Sequence, residues 1–141
     1  MLVEKGKTFI GKFNKDDDLL LALNAFCGSK NIKTGVFSII GAVQKASVGY
    51  YDQDKKVYTN NIELNKKMEI VSCQGNISLK DGKICVHAHI SLSDEAGKCF
   101  GGHLIPGTVI WAAEYYIQEL RGSELNRKYD SETGLSLWRE E

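Results

Sequence analysis

The chain has 141 residues, 43% hydrophobic and 26% charged, and its 18 basic and 18 acidic side chains cancel to a formal charge of zero. Such a chain can bury about two thirds of its unfolded surface as one domain, and its composition excludes wholesale disorder, collagen and long coiled coil. Zero net charge also removes the bulk electrostatic argument for nucleic acid or an anionic membrane.

Residues 1–7 carry charges where a leader would be apolar, and no apolar run approaches the ~20 residues of a membrane span. The expected address is the cytoplasm, with no membrane partner. Residues 7–13, rich in β-branched and aromatic side chains, read as a strand. Asp16-Asp17-Asp18 offers capping oxygens to a helix carried by Leu19, Leu20, Leu23 and Phe26, with Gly28 as its expected terminator.

From Thr34 the period changes to two, predicting strands at 36–40, 46–51 and 56–64, with 52–55 turning between the last two. A strand at 69–79 leads into Asp81-Gly82, a strong tight-hairpin signal, and a return strand at 84–92. Residues 94–97 turn the chain again into a strand at 98–104. Residues 108–120 mix helix formers with Val, Ile, Trp and two Tyr; the neighbouring hairpins favour strand. Strict alternation there would place Ile110, Ala112, Glu114 and Tyr116 on one face and Val109, Trp111, Ala113 and Tyr115 on the other. One face can pack on the domain core; the second favours a partner subunit or, alternatively, is covered within the monomer by helix 17–27. The expected fold class is α+β, a mostly antiparallel central sheet with one main helix. It forms one domain over 1–141, with a core of about 5–121 and a polar tail at 122–141 holding a short strand near 135–138.

Cys27, Cys73, Cys85 and Cys99 form no C-x-x-C pair and read as free thiols. Phosphate-binding loops and a G-x-S-x-G nucleophile are absent, so phosphoryl transfer and serine hydrolysis have no support. The three histidines are more informative. His87 and His89 stand at i and i+2 of one strand and project from the same face. The turn at 94–97 brings the next strand alongside, with His103 at its end after Gly101-Gly102, where missing side chains permit close approach or a positive φ. Three imidazoles with a fourth position free is a catalytic-type zinc arrangement. Spacing alone leaves a second reading open, in which these are ordinary strand-face histidines. Cys85 shares their parity and is either an extra ligand or a plain thiol. Glu114, the acid within the apolar stretch 104–117, is either a sheet-face residue or an acid/base beside the metal. Neutral imidazole is the ligand form, so metal affinity is expected to fall below pH ~6.5.

His87-Ala88-His89 with Ser91-Leu92-Ser93-Asp94, followed by Phe100-Gly101-Gly102-His103-Leu104, resembles the plants-and-prokaryotes conserved (PPC) domain, also called domain of unknown function 296. Gly41-Ala42-Val43, Gly49-Tyr50-Tyr51-Asp52, residues 75–82 and Pro106-Gly107-Thr108 extend the resemblance over about 5–121. It implies a homotrimer of α+β domains with 108–120 as a strand. It also implies a zinc ion on His87, His89 and His103 near a subunit boundary, and a fold similar to acetolactate decarboxylase. The resemblance leaves three functions in play: a metal-binding protein with a small-molecule ligand, a zinc lyase or hydrolase, and a DNA-binding or regulatory protein. Plant relatives of the family carry a separate Arg-Gly-Arg-Pro hook for the minor groove. This chain has no Arg-Gly-Arg, and its arginines, Arg121, Arg127 and Arg139, all lie at the C-terminal end.

Overall fold

The computed structural model describes residues 1–139. In these the chain runs β1 (Val3–Phe13), α1 (Leu19–Ser29), β2 (Gly35–Asp52), β3 (Val57–Leu64), β4 (Met68–Lys80), β5 (Lys83–Ser93), β6 (Cys99–Leu104), β7 (Val109–Gly122), β8 (Asn126–Tyr129) and β9 (Ser136–Trp138). The strands form one mixed sheet in the order β1-β7-β2-β6-β5-β4-β8-β9, with β3 on β2 and a further β2–β4 pairing. Its ladders are antiparallel except that of β4 with β8, which is parallel. The first half of β2 bonds β4, and Val48 and Gly49 in its second half bond β6. Strands β2, β4, β5 and β6 therefore close into a ring.

Two of the sequence expectations merge in β2. The strands read at 36–40 and 46–51 are one strand of 18 residues. Register shifts at Ile39/Gly41 against β4, and at Ala42/Val43 and Val43/Lys45 against β7, break its period and made it look like two. The Asp81-Gly82 turn is as expected: both residues take positive φ, 52° and 73°, and Lys80 pairs Lys83 across a two-residue loop. Segment 109–122 is a strand, but its alternation slips. Ala42 faces Ala112 while Val43 faces Ile110, leaving Trp111 as the extra residue of a bulge. Ile110 and Ala113 are both buried, and Trp111 and Ala112 are both exposed, which corrects the predicted faces.

Asp18 caps α1, its carboxylate accepting from the Leu21 N–H at 3.0 Å and the Gly107 N–H at 2.6 Å. Gly28 does not end the helix. The helix runs on to Ser29, and Asn31, at φ 53°, makes the left-handed turn out of it. Leu19, Leu23 and Cys27 are fully buried against the sheet, and Phe26 closes an aromatic cluster with Phe9, Phe13 and Tyr115. Ile39, Ile77, Ile90, Leu92 and Leu104 complete the core from the inner face of the ring, at roughly 1.5–3 kcal/mol for each such side chain. The four cysteines are free, and burial pushes the Cys27 and Cys73 thiols up to about 12. Among the described residues no helix is long and apolar enough to cross a membrane.

The segment read as a polar tail folds into the β8–β9 hairpin. Leu125 is buried, Leu79 and Lys80 of β4 pair with Asn126 and Arg127, and Arg127 pairs Trp138.

Candidate metal centre

His89 on β5 stands directly opposite His103 on β6, and His87 shares the outer face of β5 two residues earlier. The β5–β6 turn that sets this register is organised by Asp94. Its Oδ1 accepts from the Ala96 and Lys98 N–H groups at 3.1 and 3.0 Å, and Lys66 Nζ holds Oδ2 at 2.7 Å. Gly101 and Gly102 then supply close approach rather than a positive φ. A Cβ on Gly101 would lie 2.5 Å from the Ile90 carbonyl oxygen, and one on Gly102 2.9 Å from that of Gly49. No larger residue would let β6 lie between β5 and β2.

The result is a cluster of three imidazoles with ring centroids 4.9–5.4 Å apart, offering one ligand atom each within 4.8 Å of one another. Among the described residues neither Cys85 nor any carboxylate belongs to it. His103 Nδ1 is buried with no hydrogen-bond partner, a costly condition that a bound cation or ligand would relieve. Three imidazoles suit zinc and neighbouring divalent ions and leave a position free. The residues therefore fit the group that their spacing suggested.

The electrostatics favour the neutral form of His87 and His103. Burial, then His103, Arg127 and His89, push His87 down to about 4; burial, His89 and Arg127 lower His103. Burial and these neighbours thus let His87 keep its ligand form below the ~6.5 of an unperturbed imidazole. His87 and His103 also border an open cleft of about 460 Å³. Glu114 does not line it. That residue is exposed on β7, outside the ring, between Lys12 of β1 and Ile40 of β2.

Two side chains at the site were missed in the sequence. Arg127 reaches across from β8, donating to Ser78 Oγ at 2.7 Å, Asn76 Oδ1 at 2.7 Å and the Ser136 carbonyl at 2.9 Å. Asn76 pairs His87 in the β4–β5 ladder, so the guanidinium is fixed at the histidine's flank. Tyr58 of β3 lays its ring 5.0 Å from that of His103 and edge-on to Tyr51. The alternation of Asn126–Tyr129 before a Gly134 turn and Trp138 was the signal for the hairpin that carries Arg127.

A mixed sheet closed around β2 with a histidine triad on its outer face defines the class of protein. The chain belongs to the Plants and Prokaryotes Conserved (PCC) domain family, the PPC family under another abbreviation, matching it over residues 2–121. A metal-containing protein from Archaeoglobus fulgidus is 39% identical, with 99% of this chain and 97% of that one aligned at a TM-score of 0.93. A plant- and prokaryote-conserved protein from Pyrococcus horikoshii is 37% identical over 99% and 95%, at 0.92. A candidate DNA-binding protein from Bacteroides thetaiotaomicron is 26% identical over 97% and 96%, at 0.86. The chain is also 30% identical over 119 residues to the bifunctional protein GlmU of a Synechococcus strain, covering 83% of this chain and only 18% of that protein.

Proposed function

We propose that this is a homotrimeric, cytoplasmic metal-binding protein that holds one zinc or similar divalent ion on His87, His89 and His103, with one coordination position open to a small-molecule ligand. The observation that carries the reading is the meeting of three imidazoles around a buried, partnerless His103 Nδ1. The metal-containing name of the A. fulgidus protein supports it. When bound, such an ion supplies Lewis-acid polarisation of a ligand oxygen. The chain's own part is to present neutral ligands, through burial and the nearby Arg127 charge, and to shape the cleft.

Metal content per subunit after dialysis tests this. Wild type is expected to retain about one ion, His89→Ala close to none, and Cys85→Ser the wild-type amount. Equal occupancy in wild type and His89→Ala would overturn the site.

Two further readings have specific support. The naming of the B. thetaiotaomicron protein favours DNA binding; zero net charge argues against it. The cleft beside the triad favours a zinc lyase or hydrolase, as in the acetolactate decarboxylase resemblance. In that reading Glu114, placed on β7, would serve as acid/base only when presented by a neighbouring subunit.

A further inference from the structure

We infer that the cleft beside the triad is a binding site for a small organic acid with two anionic groups and an apolar body. The assignment rests in part on the metal reading, since one anionic group would face the open metal position. Three cations border the cleft, Lys56, Lys80 and Arg127, and among its described lining residues there is no Asp or Glu. Four exposed basic groups elsewhere meet acids: Lys33 with Glu124, Lys55 with Asp52, Lys66 with Asp94 and Arg121 with Glu119. Arg127 is different.

Its guanidinium is half-buried, and burial is the main cause that lowers its pKa. Among the described residues no carboxylate lies within 4.0 Å of it. Its three hydrogen bonds go to neutral oxygens of Ser78, Asn76 and Ser136 and occupy three of its five N–H groups. A partly desolvated cation with donors to spare is the chemistry that recognises a carboxylate or phosphate from outside.

The Trp138 ring lies beside the guanidinium, its centroid 5.5 Å from Arg127 Cζ. The other cations are adjustable. Lys56 donates only to the Ser131 carbonyl at 3.0 Å, and both lysines are exposed. The remaining wall is apolar and aromatic: Tyr51, Tyr58, Val57, Leu135 and Leu137. That wall gives a bare inorganic ion nothing to bury, whereas a hydrocarbon or aromatic body would cover it. The volume of about 460 Å³ suits a small metabolite and falls far short of a duplex.

Calorimetric titration at low ionic strength, on both metal-stripped and zinc-loaded full-length protein, tests the inference with phenylsuccinate, succinate, inorganic phosphate and a duplex oligonucleotide as probes. Phenylsuccinate is expected to bind both forms saturably, tighter with zinc, and tighter than succinate or phosphate. Lys56→Gln with Lys80→Gln should weaken it about ten-fold while zinc content stays at the wild-type level. Arg127→Lys, which keeps the charge but loses the planar fork, should weaken it in the stripped protein as well. Absence of saturable phenylsuccinate binding to either form overturns the inference. So does equal affinity in wild type and the double lysine variant, phosphate binding as tightly as phenylsuccinate, or binding of the duplex alone. Failure of the metal reading is visible separately, as zinc absent from the loaded sample while phenylsuccinate still binds the stripped one.

Discussion

At His87 the folded protein pays a proton penalty that the unfolded chain does not. Its imidazole is held down at about 4 by burial, His103, Arg127 and His89, against ~6.5 when unfolded. Between those values the unfolded state binds the extra proton, so the stability of the metal-stripped protein should fall as pH drops from about 6.5 towards 4 and level off for this group below that. After discounting for partial exposure the loss is about 1–3 kcal/mol, and His87→Gln should remove much of it. Urea unfolding of stripped wild type and variant at several pH values measures both. Equal wild-type stability at pH 7 and pH 4.5 would contradict the burial argument. At this scale the triad was legible, because i, i+2 parity and a hairpin are local rules. Arg127 and Tyr58 were not: each arrives from a separate element, β8 or β3, that lies outside the β5–β6 hairpin, and no local pattern records that convergence.

The β4–β5 ladder is the element that carries two of the three ligands, and Gly75 sets its closeness. A Cβ there would meet the His87 carbonyl oxygen, lie 2.9 Å from Ala88 Cα and lie 2.7 Å from Phe37 Cζ. Backbone atoms cannot give way as a side-chain tip can. Gly75→Ala should therefore cost about 2–3 kcal/mol and loosen metal binding at His87. Gly28→Ala is the control: it sits in α1 with nothing within 4 Å of the added methyl, and should stabilise by about 0.5–1 kcal/mol. Chemical denaturation of the two variants gives the comparison; similar losses in both would reject the ladder argument. The hairpins and the helix were readable from turn residues and period, and strand β7 from its neighbouring hairpins and the family resemblance. The unity of β2 and the slip at Trp111 were not, because bulges erase the period that a pattern reading depends on; of the β8–β9 hairpin only the strand near 135–138 was read, β8 being four residues long.

At the scale of the whole molecule, one sheet face is left uncovered among the described residues. Helix α1 packs on the inner side, while Ile10, Ile40, Trp111 and Tyr116 stand 80%, 54%, 54% and 41% exposed on the other. Ile10 pairs Tyr116, and Glu114 pairs Ile40, so they form one patch across β1, β7 and β2. A patch of this kind calls for a partner surface. With 15.7 kDa per chain, the proposed homotrimer should give about 47 kDa by light scattering, and Ile40→Asp should shift it towards monomer. A wild-type mass of one chain at micromolar concentration would rule the trimer out. The same neutral molecule should bind AT-rich and GC-rich duplexes weakly and alike at physiological salt; tight, sequence-dependent retention in a labelled-duplex titration would contradict this.

The single strand β2 has a consequence during synthesis. Gly35 bonds to Ile77 on one side and Glu119 on the other, and the register continues along Val36, Phe37 and Ser38. One edge of β2 can pair as soon as β4 leaves the ribosome. The other has no partner until β7 follows, more than 30 residues later. At 5–20 residues per second that is a wait of seconds, with an open Val-, Phe- and Ile-bearing edge available to other nascent chains. A pause after β4 has emerged and before β7 does would hold the chain in this half-zipped state, so slow translation in that interval should lower the folded yield even though no residue of the finished protein is changed.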